Sequence, residues 1–78
     1  KPIRLRAKEL QLLRLLIRNR NRIVPKSIIL ERIWNMDFDP ESNIVDVLVY
    51  RLRKQLEEYG ATARITTVRG LGYMVTDE

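Results

Sequence analysis

This 78-residue chain predicts a mainly α fold with a small β component: three helices followed by a C-terminal hairpin. Three observations support that prediction. Apolar residues recur at helical spacing in three segments, two short β-type runs near the C-terminus flank "RGLG", and stretches rich in Asn, Asp, Pro or Gly separate these elements. At this length a single domain, residues 1–78, is expected, with one core that uses most of its apolar residues.

The first helix is expected in "AKELQLLRLLIRN" (7–19), where Leu10, Leu13, Leu16 and Ile17 form an inward stripe, Leu12 widens it, and Arg14 and Arg18 lie opposite. It stops at "NRN", where Asn19 or Asn21 can take the left-handed conformation that follows many helices. "RIVP" (22–25) reads as an edge strand of two or three residues, because its Pro cannot donate to a ladder. A second helix runs from Pro25 or Ser27 to Trp34, with Ile29, Leu30 and Ile33 inward. "NMDFDPES" (35–42) is a loop, since Pro40 disfavours helix at Asp39.

The third helix begins near Asn43 as its N-cap, carries Asp46 in its first turn, and ends at "YG" (59–60). "RITTV" and "YMVT" then form a hairpin around "RGLG". Residues 3–5, "IRL", offer a further strand before the first helix. Three short helices and a two-stranded hairpin are the layout of a winged helix-turn-helix, in which helices two and three form the helix-turn-helix and the hairpin is the wing.

Composition narrows the chemistry. The chain has no Cys and no His, which removes thiolate catalysis, imidazole acid/base chemistry, disulfides and the usual transition-metal ligand sets. No catalysis and no cofactor are expected. Residues 33–50 lack any Lys or Arg, yet Asn35, Asp37, Asp39, Glu41, Asn43 and Asp46 make this stretch too polar to span a bilayer. No membrane partner and a cytoplasmic location are expected. The net charge of +5 is uneven: residues 1–32 hold ten Lys/Arg against two acids, and residues 33–50 hold four acids and no base. Such a distribution suits a polyanionic partner, with a separate acidic patch.

The segment "NIVDVLVYRLRKQL" (43–56) has two faces. Val45, Val49, Leu52 and Leu56 fall within about 60° of one another around a helix, with Leu48 at the margin. On the other side Asn43, Val47, Tyr50, Arg51 and Lys54 share an arc of about 100°. A helix of this length is about 21 Å long and fits the major groove of DNA. Arg can donate two hydrogen bonds to guanine, Val47 and the Tyr50 ring can touch a thymine methyl, and Lys54 and Asn43 can reach phosphates. A charged helix face is also often only solvated, and Arg53 can pair with Glu57 one turn on. Arg69, between small residues at the hairpin tip, has the shape for a minor groove, although a Gly-rich turn can also carry an incidental Arg.

"NIVDVLVYRLRKQL" followed by "ITTVRGLGYMV" resembles the effector domain of OmpR/PhoB-type two-component response regulators. "AKELQLLRLL", "ILERIW" and "DFDPES" match that family's first helix, second helix and interhelical loop in order, so the likeness covers residues 4–76. The resemblance implies sequence-specific binding to double-stranded DNA at tandem half-sites for transcriptional control. Arg51 would be the main base reader, joined by Tyr50 and Val47; Arg69 would enter the minor groove. Asn43, Lys54, Trp34, Thr67 and Tyr73 would meet phosphates and Arg53 a phosphate or a base, while Trp34, Thr67 and Tyr73 also read as packing residues. Loop 35–42 corresponds to the segment that faces RNA polymerase in the family, though its acids are equally explained by solvation.

Leu48 and Tyr50 depart from the family's usual polar or basic residues, so base preference does not transfer. Pro25 and Asn35 replace a usual Ser and a frequent Gly. The family's domain normally opens with a four-stranded antiparallel sheet and follows a receiver domain. Here at most the last strand is present, in "PIRL", which suggests an excised fragment or a reduced member. Apolar residues of the first helix would then be exposed, with consequences for stability or self-association. The competing reading is a winged-helix protein-interaction module that docks through Leu48, Tyr50 or the acidic loop.

Overall fold

The computed structural model describes residues 5–38, 40–61 and 63–76. Its elements are α1 (Ala7–Arg18), β1 (Val24–Pro25), α2 (Lys26–Trp34), α3 (Ile44–Glu58), β2 (Arg64–Val68) and β3 (Gly72–Thr76). The strands form one antiparallel sheet in the order β1-β3-β2. Of the strand expected in "PIRL", only Leu5 lies among the described residues, and it is not in a strand.

The helices end as their local chemistry requires. The Asn19 side chain donates to the Leu15 carbonyl at 2.8 Å at the end of α1. Asn21 then turns left-handed (φ 65°) and donates its backbone N–H to Val75 O at 2.9 Å, tying the turn to β3. Asn35 supplies the left-handed residue after α2 (φ 55°); its N–H and that of Met36 reach Glu31 O and Leu30 O. Two carbonyls that helix ends otherwise leave orphaned are thereby satisfied. Gly60 (φ 68°) does the same service after α3, where Ala61 N–H bonds to Leu56 O at 2.9 Å.

The core sits between α1, α2, α3 and the inner face of the sheet. Ile29, Leu30 and Ile33 of α2 and Val45, Val49, Leu52 and Leu56 of α3 are buried, as their spacing predicts. Leu48 joins them at 6% exposure. Leu12, Leu16, Ile29 and Leu52 are completely inaccessible, each worth about 1.5–3 kcal/mol of apolar burial.

On α1 the inward face differs from expectation. Glu9, Leu12 and Leu16 are buried, Leu13 and Leu15 are partly covered, and Leu10 and Ile17 stand 38% and 46% exposed. At 100° per residue, Leu10 and Ile17 lie roughly 120–140° around the helix from the Leu12–Leu16 stripe. The helix is apolar on more than one side, so periodicity alone could not say which side α3 and the sheet would cover.

β3 is held at its first two residues, just after the hairpin turn. Gly72 sits where β3 passes β1, and a Cβ there would lie 2.2 Å from Val24 O. Tyr73, the next residue, is 4% exposed, and its hydroxyl donates to Asp46 Oδ1 on α3. Lys26 of α2 reaches the same carboxylate, at 3.0 Å and 3.2 Å to its two oxygens. Asp46 therefore joins α2, α3 and β3, a larger role than favouring the helix start. The Tyr73 hydrogen bond, with Lys26 beside it, holds the Asp46 carboxyl below its ordinary 3.8. Burial, reinforced by the Asp46 carboxylate, pushes the Tyr73 phenol from 10.0 up to about 12.

Two predictions follow from these contacts. Gly72→Ala should lose about 1–3 kcal/mol in a denaturant titration, because the clash is with backbone that must move. Gly70→Ala has no atom within 4 Å of its Cβ and a positive φ, so its loss should be limited to about 1–2 kcal/mol of left-handed strain. Equal losses would show that the β1–β3 approach is not tight. For the Tyr73–Asp46 pair, a depressed carboxyl pKa gives stability that is present above pH 3.8 and lost as pH falls through the lower folded value. A raised phenol pKa gives stability that is full below pH 10.0 and lost as pH rises through about 12. The stability difference between wild type and Tyr73→Phe should accordingly be largest between those limits and shrink at both; a difference constant with pH would refute the pairing.

Candidate nucleic-acid interface

α3 presents the surface that its sequence divides. With Val45, Leu48, Val49, Leu52 and Leu56 turned inward, Asn43, Val47, Tyr50, Arg51 and Lys54 are all exposed along the other side. Val47 and Tyr50 are 45% and 60% accessible, an apolar and an aromatic contact one turn apart. Lys54 Nζ lies 5.7 Å from the Tyr50 ring, a cation–π approach that ties the two side chains together. Arg51 is exposed and makes no hydrogen bond or ion pair with any described residue, which leaves its planar fork of donors uncommitted.

Asn43 occupies the N-cap position but does not cap with its side chain. Its backbone is left-handed (φ 52°), and its carbonyl accepts from Val47 N–H at 3.0 Å. The exposed carboxamide makes no capping hydrogen bond and is available to another group. Residues that cap with their side chains typically have extended backbone, unlike Asn43 here.

Arg53 follows neither the expected pairing with Glu57 nor a fully open placement. It is half-buried, with Nε donating to Ile65 O at 2.9 Å and Nη2 to Thr67 Oγ1 at 2.7 Å. Its guanidinium carbon also lies 5.8 Å from the Tyr73 ring. Arg53, Thr67 and Tyr73, all candidates for phosphate contact by sequence, are thus brought together and bound to one another. Thr67 is exposed, and by accepting from Arg53 its hydroxyl is left to donate its own hydrogen outward. Tyr73 has its hydroxyl committed to Asp46.

Arg69 is exposed at the wing tip, where Leu71 N–H closes the turn on Val68 O at 3.0 Å. Leu71 beside it is 59% exposed. A cleft of about 580 Å³ separates this tip from the start of α2, lined by Lys26, Ser27, Asp46, Thr67, Arg69 and Leu71 among others. Lys26 is a member of the site that sequence reasoning missed, being one of many cations in the first half of the chain. Its nearness to the wing arises only from packing.

Trp34 is half-buried at the end of α2, with Lys8 Nζ 5.4 Å from its ring. Its indole N–H meets no acceptor among the described residues. In the acidic loop Phe38 is 63% exposed, and Leu30, Met36, Asp37 and Phe38 help line a hollow of about 320 Å³ against α2. Among the described residues no group of acids and other ligand types is arranged to hold a metal ion, and no helix is long and apolar enough to cross a membrane.

This geometry has close parallels. The chain is 44% identical to the heme response regulator HssR of Staphylococcus saprophyticus over 77 residues, 99% of this chain and 34% of that protein. It is 41% identical to the transcriptional regulatory protein PcoR of Escherichia coli over 75 residues, 96% of this chain and 33% of that protein. The chain spans about a third of the length of these curated relatives. Among solved structures it matches the Klebsiella pneumoniae RstA DNA-binding domain in complex with the RstA box. That match has a TM-score of 0.85 and 29% identity, and covers 97% of this chain and 76% of that one. The DNA-binding domain of Bacillus subtilis CssR superposes with a TM-score of 0.80 and 32% identity, covering 95% of this chain and 80% of that one. Residues 1–75 match the family model described as transcriptional regulatory protein, C terminal, and with three helices and a hairpin wing in that order the chain belongs to this family of winged-helix effector domains.

Proposed function

We propose that this domain binds specific sites in double-stranded DNA to control transcription, as the output part of a longer two-component response regulator with a receiver domain. The observation that carries this reading is the exposed Val47, Tyr50, Arg51 and Lys54 face of α3, joined rigidly to a wing that presents Arg69. The RstA domain, of the same fold, was solved with its DNA box bound, which supports the reading.

In this arrangement α3 lies in the major groove. Arg51 donates to a guanine edge, Val47 and Tyr50 contact thymine methyls, and Asn43 and Lys54 meet the flanking phosphates. Arg69 enters the adjacent minor groove, and Thr67 donates its free hydroxyl hydrogen to a phosphate. The Trp34 indole N–H adds a further phosphate donor. Arg53 and Tyr73 act as positioning residues that hold the wing against α3. Two copies on tandem half-sites would place the exposed Phe38 and Asp37 of loop 35–42 beside the promoter, where RNA polymerase is the natural partner. The chain carries out no catalysis in this reading. The alternative of a protein-docking module loses one of its named contacts, since Leu48 is buried in the core.

Phosphate neutralisation makes affinity fall steeply with salt. Arg51→Ala should cost about 1–3 kcal/mol on a site selected in vitro and much less on random duplex, whereas Lys54→Ala should weaken both alike. Parallel losses on both duplexes for the two variants, followed by fluorescence anisotropy, would refute Arg51 as a base reader. If Arg53 positions the wing, Arg69→Ala should cost less in an Arg53→Ala background than in wild type. Additive losses in that double-mutant cycle would instead make the two arginines independent contacts.

A further inference from the structure

A groove of about 330 Å³ runs between the first turn of α1 and the middle of α3, walled by Arg6, Glu9, Tyr50, Arg51, Lys54 and Gln55. Glu9 is 3% exposed, and its Oε1 accepts the Arg6 backbone N–H at 3.1 Å. The Arg6 carbonyl in turn accepts from Leu10 N–H at 2.9 Å. The main chain of Arg6 is therefore fixed from beneath by a buried carboxylate. Its side chain is exposed and makes no hydrogen bond or ion pair with any described residue.

Three cations thus line one groove, and the Glu9 carboxylate offsets only one of them. Like charges brought together raise the energy of the free protein and lower it when an anion enters between them. The opposite wall of the groove, Tyr50, Arg51 and Lys54, is the same face of α3 that reads DNA in the proposal above. An extended polyanion lying along that face borders the groove that Arg6 also lines. In the DNA-binding reading that polyanion is the phosphodiester backbone.

We propose that Arg6 is a DNA-backbone contact, so that the first turn of α1 is a third element of the interface beside α3 and the wing. This rests on the DNA-binding reading of α3. It assigns a function to a residue that neither the helical periodicity of α1 nor the wing motif singles out.

The test uses the whole chain and a random-sequence duplex, with affinity measured against salt. Arg6→Ala should flatten the log–log salt dependence by about one unit, so that its disadvantage against wild type shrinks about three- to fourfold between roughly 50 and 200 mM salt. Arg6→Lys should keep the wild-type slope. Arg14→Ala removes the same charge from an exposed position of α1 outside the groove and should leave the slope nearly unchanged. Because the Arg6 side chain is exposed, the variants should unfold at the wild-type temperature. A wild-type slope in Arg6→Ala, or an equal change in Arg14→Ala, would overturn the Arg6 assignment while leaving DNA binding intact. Failure of the wild-type chain to bind duplex at all would remove the DNA reading and the Arg6 contact with it.

Discussion

The surface of this domain depends on α3 and the hairpin being one body. Two sets of side-chain contacts make them so. Asp46, near the start of α3, receives the Tyr73 hydroxyl and Lys26, while Arg53, two turns on, donates to Ile65 and Thr67 of β2. A single bracket would leave the wing free to pivot; two of them, spaced along the helix, set both its distance and its angle. Gly72 then lets β1 close on the third strand, because no side chain stands between Val24 and the β3 backbone.

Charge is divided by the same contacts. Of the four acids between residues 33 and 50, Asp46 is drawn into the structure and held ionised by a phenol and an ammonium. Arg53 is likewise drawn inward, over the Tyr73 ring. The Lys26 and Asp46 side chains remain 52% and 40% exposed, so their ion pair is screened and its value lies more in orientation than in energy. Along the first three turns of α3 the outward residues are Val47, Tyr50, Arg51 and Lys54, a surface able to combine hydrogen bonding with apolar contact, while Glu57 and Glu58 are exposed in its last turn.

α1 has a more divided role. Its buried stripe of Glu9, Leu12 and Leu16 supports α3, but Leu10 and Ile17 leave apolar surface on another side. Solved relatives of the fold extend beyond what this chain matches, 80% of the CssR domain and 76% of the RstA domain being covered. Two separated exposed residues are within what small proteins tolerate.

The sequence by itself determined the element order, the ends of the helices and the two faces of α3. Those features rest on local rules: helical periodicity, the left-handed tolerance of Asn and Gly, and the hairpin length of "RGLG". It also singled out Arg51, Lys54, Val47, Tyr50 and Arg69, because the outward side of a helix and the tip of a turn are visible from spacing alone. Only the tertiary structure decided that Leu48 belongs to the core, that Leu10 and Ile17 do not, and that Arg53 and Tyr73 are turned toward the wing base rather than outward. It also brought Arg6 beside α3 and Lys26 beside the wing. The physical reason is common to all of these: each depends on a partner far away in the chain, and no spacing within one helix records which of its flanks that partner will cover.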